Sequence, residues 1–370
     1  SGLATAVPGS QVFASPLLVD ADYNFSPYLA ESWDVSDDGL AVTLNLTAEA
    51  TFHDGMPIAS ADVAFSIEVS KANHPFRTMF GPVTTVDTPD ATTVVINLSQ
   101  AHPAILLALT PPLLPIIPKH IFDDGQDMST HPRNGEDVIG SGPFKVVEFN
   151  PSEVIRLERN EDFWLGPAQL DEIIIQTFPD SNSIVLALEA GEIDSAAISS
   201  ATDIARLQGV DGLTVTPDGH HGLGAVNWVE FNTANDILSD ANVRKAIALA
   251  IDRDFITDTL MQGIFEAAPS PIAPSSPFFN AGIETYDLDV ETARGLLADA
   301  GYADGDISLE IDYIPGPDAI QKNIAEYIVQ ALEDVGIDLS LRVSPDFPTW
   351  AGRISSGDFD MTMNNVWTWG

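Results

Sequence analysis

Residues 29–65 read LAESWDVSDDGLAVTLNLTAEATFHDGMPIASADVAF. Trp33 and Val35 alternate with polar residues, Asp37-Asp38-Gly39 supplies a turn, and Val42, Leu44 and Leu46 alternate again. That pattern predicts a half-buried antiparallel hairpin, with a glycine where φ can turn positive. Residues 52–57, Phe-His-Asp-Gly-Met-Pro, predict a compact loop. Ser60 is then placed to cap a helix reaching about Asn73, with Asp62 in its first turn. Nothing in this stretch is suited to bond-breaking chemistry.

Working outward, 83–98 predicts a second hairpin turning at Thr88-Pro89-Asp90. The apolar run 104–117, broken by Thr110-Pro111-Pro112 and Pro115, predicts a buried helix followed by a proline-stiffened piece. Gly140-Ser141-Gly142-Pro143-Phe144 opens a further block. Strands are expected at 145–149, 154–159 and 172–178, and a helix at 183–190 stopped by Gly191. Glu192-Ile193-Asp194 is expected to begin another strand. After Phe231-Asn232-Thr233 a helix carries Val243, Ile247 and Ala250 on one face. Asp254 is expected to cap a helix starting at Phe255, and Asp289 one closed by Gly301. A helix at 319–335, stopped by Gly336, leads to a strand at 337–343. Strand–helix–strand order here points to an α/β lobe with a partly parallel sheet.

Three motif sets stand in order: LAESW, the Asp-Gly turn, FHDG and ADVAF; then GSGPF, LERN, DFW, LDEI and ALEAGEID; then FN followed by DANVRKAIALAIDR. Together they resemble the extracellular solute-binding protein family 5, the dipeptide-, oligopeptide- and nickel-binding proteins of bacterial ABC importers. The resemblance implies a two-lobed, periplasmic-binding-protein-like α/β fold of type II, with mixed sheets flanked by helices. Residues 1–31 plus 140–228 would form the sheet domain of lobe I, 32–139 its side subdomain, and 229–370 lobe II. A hinge is expected near 227–231. The chain is expected to be a piece of a longer protein that lacks both ends relative to the family.

Composition bounds the partners. Fifty-five acidic against 15 basic residues leave a net charge of −40. Binding to nucleic acid needs clustered Lys and Arg to replace phosphate counterions, so that class is set aside. Attachment to anionic lipid is set aside for the same reason. Spread along the chain, the acidic charge reads as a solvated surface. There is no cysteine, which excludes disulfides and thiolate metal sites. No apolar run approaches the roughly 18 residues of a membrane span. At 45% hydrophobic residues, the chain can still bury a sizeable core.

Each candidate for chemistry has a plainer reading. His220-His221 lies between glycines without a third ligand at fixed spacing, so a solvated loop is preferred. His53-Asp54 belongs to a turn motif. Of Asp287, Asp289 and Glu291, Asp289 is better explained as a cap than as a calcium ligand. Ser141 lacks the glycine spacing of a nucleophile elbow. No catalytic residue, metal or cofactor is therefore expected.

Candidate ligand residues are those mixing aromatic walls with polar groups where the family places its cleft. They are Phe76 and Phe80 in the loop 74–80; Asn227 and Trp228; and Asn364, Asn365, Trp367 and Trp369. In peptide-binding relatives the last segment carries a Trp, which Trp367 matches, followed by an acidic residue that holds the ligand's ammonium group. The leading expectation is a solute receptor, monomeric and extracytoplasmic, that delivers a small solute to ABC permease subunits, with peptides ranked first. Oligosaccharide or metal-chelate binding on the same fold stands as the alternative. A hydrolase using cleft carboxylates is a remote one, and a sensor or chaperone that has lost transport is a third class.

Overall fold

The computed structural model describes residues 8–20, 22–74, 77–128, 130–150, 152–216, 226–274, 276, 278–315 and 320–366. The chain separates into two compact units, Ser1–Thr177 and Phe178–Trp369. Among the described residues, no helix is long and apolar enough to cross a membrane.

The first unit holds three antiparallel sheets. Strands β1 (Leu17–Val19) and β2 (Phe25–Pro27) form a two-stranded ribbon. Strands β3 (Ala30–Val35), β4 (Ala41–Leu46), β5 (Val83–Asp87) and β6 (Thr93–Leu98) form a sheet in the order β3-β4-β6-β5. Both expected hairpins are present. Gly39 turns the first with φ 69°, a conformation costly for residues with a Cβ. Val42, Leu44, Val94 and Ile96 are buried, and the helix α1 (Ser60–Asn73) adds Val63 and Ile67 to the same core. Each fully buried Leu or Ile contributes about 1.5–3 kcal/mol. Strands β7 (Phe144–Asn150), β8 (Val154–Arg159) and β9 (Glu172–Gln176) make the third sheet.

The cap of α1 differs from expectation. Ala59, not Ser60, holds the extended cap conformation, and Asp62 accepts the Ala59 N–H at 2.9 Å. Ser60 is already helical, and its hydroxyl donates to the Asp90 carbonyl. The other Asp62 oxygen accepts the Lys119 N–H at 3.0 Å, which ties α1 to the chain following the apolar 104–117 run.

One knot joins the motifs of the first unit. Val12 O accepts the N–H groups of Ser141 and Gly142, at 2.9 and 2.7 Å. A Cβ on Gly140 would meet Val12 O at 2.1 Å, and one on Gly142 would meet Gln11 O at 2.5 Å. Ser141, fully buried, accepts from Ala14 N–H at 2.9 Å and donates to the Ile116 carbonyl at 3.0 Å. The His53 ring completes the knot. Its Nδ1 accepts the Gly140 N–H and its Nε2–H donates to the Gly142 carbonyl, both at 3.0 Å.

The second unit begins with helices α2 (Ser181–Ala190) and α3 (Ala201–Leu207), which share the buried cluster Val185, Leu188 and Leu207. Gly191 ends α2 with φ 68°, as expected. The strand expected at Glu192-Ile193-Asp194 is absent; these residues form a turn and loop, and Ile193 packs against that cluster. Strands β10 (Val226–Phe231), β11 (Ile307–Asp312), β12 (Ile337–Leu341) and β13 (Met361–Val366) form a mixed sheet in the order β10-β13-β11-β12. The pair β10/β13 is antiparallel, while β11 runs parallel to both β12 and β13. Helices α4 (Ala241–Ala250), α5 (Val290–Asp299) and α6 (Ile320–Glu333) bury Val243, Ile247, Leu297 and Ile328 in the core that this sheet shares. Asp289 caps α5 through the Thr292 N–H, as expected. Asp254 does not cap the turn Phe255–Leu260. Its backbone is already helical, and Asp252 accepts the Phe255 N–H instead.

Burial pushes the His53 imidazole down to about 4, with Lys145 pushing the same way and the bond to Gly142 opposing. Protonation would also put a hydrogen on Nδ1, facing the Gly140 donor. The unfolded imidazole takes its proton near pH 6.5 and the folded one near pH 4. The contribution of His53 is thus complete above about pH 6.5 and declines as pH falls toward 4, by about 3 kcal/mol. Urea unfolding at steps between pH 4 and 7 should show that decline, and His53→Asn should flatten it while lowering stability at pH 7. Equal slopes in the two proteins would remove His53 as the cause.

Candidate functional site

The β10/β13 pairing brings together residues far apart in sequence, 134 positions for the Asn364–Glu230 contact. Asn227 stands opposite Asn365, and Trp228 opposite Asn364. Because side chains alternate across a strand, the four divide between two faces. Asn227 and Asn365 share the face of Val229, Phe231, Met361 and Met363, which packs against the helical core. Trp228, Glu230, Thr362 and Asn364 occupy the other.

Each face fixes its polar groups differently. Asn227 Oδ1 accepts from Gln321 Nε2 on α6 at 3.1 Å, and Gln321 Oε1 accepts the Ile314 N–H at 2.9 Å. On the opposite face the helix α7 (Phe347–Ser356) lays Trp350 over β13, and its indole N–H donates to Thr362 Oγ1 at 2.9 Å. Beyond Thr362, Asn364 Nδ2 donates to Glu230 Oε2 at 2.7 Å, while Asn364 Oδ1 accepts the Asn365 N–H at 2.8 Å. Trp228 and Glu230 are both half-buried there.

Asp312 anchors α7 to the sheet. Only 1% exposed, it accepts from Arg353 Nη1 at 3.0 Å and Ser344 Oγ at 2.8 Å, and Arg353 also donates to Ser344 at 2.8 Å. At the far end of the β10/β13 pair lies a hollow of 410 Å³ lined by Asn232, Asn235, Glu310, Arg342, Asp358 and Asp360. Its polar groups satisfy one another: Arg342 pairs with Asp358 at 2.8 Å, and Asp360 accepts from Asn235 and from the Glu310 N–H. Such a self-satisfied cluster offers a ligand little unpaired bonding capacity.

The other expected residues fall elsewhere. Phe80 is 1% exposed in the core of the first unit, with Val83 and Ile67, so its ring serves packing. Phe76, Trp367 and Trp369, like His220 and His221, lie outside the described residues. Ser141 and the His53 ring are committed to the backbone hydrogen bonds of the knot. Among the described residues, no group of three His, Cys, Asp or Glu is placed to hold a metal ion. Glu230 belongs to the candidate stretch 227–230 but was not among the expected ligand residues, although alternation puts it on the face of Trp228; Gln321 was passed over. Gln321 had no local signal.

The family model for bacterial extracellular solute-binding proteins, family 5 Middle, matches residues 24–370. This chain belongs to family 5. Among its curated relatives, heme-binding protein A of Haemophilus influenzae is 27% identical over 92% of the chain and 67% of its own length. The oligopeptide-binding protein AppA of Bacillus subtilis is 27% identical over 88% of the chain and 62% of its own length. The chain thus spans about two thirds of these relatives or somewhat less. Among solved family 5 folds, AgaA of A. tumefaciens R10 in complex with agropinic acid superposes with a TM-score of 0.81 at 27% identity, over 99% of this chain and 73% of that one. The two-lobed fold class expected from the sequence is that of family 5.

Removing Asp312 would strand the Arg353 guanidinium, and breaking a buried pair costs about 3–5 kcal/mol. Arg353 is 23% exposed, which sets the expected loss for Asp312→Ala near the lower end. Chemical denaturation should show it, with Arg353→Met on the same background recovering part of the loss. A stability change below about 1 kcal/mol would mean that the pair does not anchor α7.

Proposed function

We propose that this chain is the solute-capturing receptor of an ABC importer, that peptides are its cargo, and that Asn227, Trp228, Asn364 and Asn365 contribute to its site. The observation carrying this reading is the β10/β13 register, which brings the Trp228 indole and the Asn364 carboxamide from two distant segments onto one face, with Asn227 and Asn365 on the adjacent rung facing the other way. An aromatic surface with a few convergent polar groups is the usual make-up of a small-molecule site. Among the described strands, β10 pairs only with β13, so its outer edge keeps unpaired backbone N–H and C=O groups. An extended peptide can add to such an edge through main-chain hydrogen bonds. The AppA relative, named as oligopeptide-binding, supports the same cargo class.

The proposed cycle is capture, delivery to membrane permease subunits and release of an unaltered solute, outside the cytoplasm, by a monomer. Ser141 and His53 are held in the structural knot and so are not free to serve as nucleophile and base, while a hydrolase using cleft carboxylates stays the remote alternative. Phe76, Trp367 and Trp369 remain proposed contacts on the family resemblance alone.

A thermal-shift panel of short peptides, a disaccharide and nickel–histidine tests the cargo. A ligand at a hundred times its Kd should add about 2.7 kcal/mol of stability. Peptides should raise Tm; a rise with the disaccharide or the nickel complex alone would overturn the peptide assignment. Trp228→Ala and Asn227→Ala should each weaken peptide binding about tenfold, or about 1.4 kcal/mol; Tm of the free protein should hold for Trp228→Ala and fall for Asn227→Ala, which leaves Gln321 Nε2 without its acceptor. Unchanged affinity in both would place the site elsewhere.

A further inference from the structure

We propose that the second unit carries a further small-molecule site, apart from the β10/β13 pair, and that it takes a free α-amino acid with an apolar side chain. The proposal does not rest on the receptor reading. It rests on a hollow of 490 Å³ where α5 leads into β11 and α6 leads into β12. Volumes of this order hold small ligands. At the meeting of the two turns, Gly305 N–H donates to the Gly336 carbonyl at 2.8 Å. Gly336 has φ 83°, and a Cβ there would meet Asp304 Oδ1 at 2.6 Å, so only glycine lets the turns come this close.

The floor of the hollow is apolar. Leu297, Ile307 and Val335 are buried in the core of the unit and line it from below, with half-buried Tyr302. The Tyr302 hydroxyl makes no hydrogen bond to a described residue. Two charged side chains complete the lining.

Arg294, on α5, donates from both Nε, at 3.0 Å, and Nη2 to the carbonyl of Asp334, just past the end of α6. The plainer role of this contact is to cap that helix end. It occupies only one edge of the guanidinium. The other edge, one N–H from each terminal nitrogen, stays open, and that fork matches a carboxylate with two parallel bonds. Unlike Arg156, Arg206, Arg342 and Arg353, Arg294 has no carboxylate within 4.0 Å among the described residues, although acidic residues outnumber basic ones 55 to 15. Pinned by Asp334, it has less rotamer freedom to lose when a ligand arrives.

Asp304 is the second charge. It is exposed, and its carboxylate makes no hydrogen bond or ion pair with a described residue. It would repel a simple anion and attract a cationic nitrogen. A ligand that satisfies the whole lining therefore needs a carboxylate for Arg294, an ammonium for Asp304 and a hydrocarbon body for the floor. An apolar α-amino acid is the simplest molecule with all three.

Calorimetry on the full chain would compare leucine with isocaproate, which lacks the ammonium, and with isoamylamine, which lacks the carboxylate. Leucine should bind saturably and raise Tm. Each mimic forfeits a charge-assisted bond and should bind about tenfold or more weakly. Arg294→Lys keeps the charge without the fork and should weaken leucine about tenfold, read as affinity because the cap on α6 also changes. Asp304→Asn should bring leucine and isocaproate together. Ala298 lines the hollow from the exposed side of α5, so Ala298→Trp should fill it and abolish leucine binding with both charges intact. No saturable binding of leucine overturns the proposal, as does binding that survives Ala298→Trp. Binding lost in Trp228→Ala and kept in Ala298→Trp would place leucine at β10/β13 and overturn the second site alone. Should Arg294→Lys fail to fold, the mimics and Ala298→Trp decide: leucine bound no better than either mimic refutes the assignment. The peptide panel reports on the receptor reading separately.

Discussion

The second unit depends on one register. Six rungs join β10 to β13, from Val226 opposite Val366 to Phe231 opposite Met361. A slip of one residue would turn every side chain to the other face. Met361 and Met363 would leave the core, and Asn364 would leave Glu230. The register is enforced from both sides. Apolar residues on one face are drawn into the helical core, while Trp350 and Thr362 lock the other. At the end of the pair, Asn232 donates to the carbonyls of Gly357 and Phe359, holding the chain where it enters β13. The candidate site is a by-product of forces whose main effect is to hide hydrocarbon from water.

The motifs that mark the family in the first unit turn out to be folding devices. The FHDG loop and the GSG segment meet because a histidine ring bridges two glycine peptides, and those glycines leave room for the chain at Gln11 and Val12. Ser141 joins Ala14 to the carbonyl of Ile116. Residues shared across receptors with different solutes need not touch the solute, and here they secure chain crossings. This separation of scaffold from site explains how one fold serves relatives named for heme and for oligopeptides.

Charge follows the same division. The 15 basic residues are few, and several are used within structure: Arg206 on Glu189, Arg156 on Glu172, Arg353 on Asp312. The exposed pairs contribute little to stability, about 0–1 kcal/mol each. The buried one sets the position of α7. The remaining negative charge is spread along the chain as a surface property.

Much was legible in the chain because its signals were local. The two hairpins, the Asp289 cap, the closing residues Gly191 and Gly301 and the apolar face of α4 all follow from neighbours within a few positions, where backbone sterics and periodicity act. Two caps were misplaced by one or two residues: Ser60 directly follows Ala59, and Asp254 lies two positions after Asp252, whose carboxylate accepts the Phe255 N–H. The expected strand at 192–194 failed because a strand needs a partner, and a single segment does not reveal one. Phe80 read the same as a wall of a site or as core, and burial decided for core. By itself, then, the sequence determined the elements, the family and the absence of thiol chemistry. Only the tertiary structure decided that Asn227 faces Gln321 and Glu230 faces Asn364, because those contacts arise from packing between segments roughly a hundred residues apart, which no local pattern encodes.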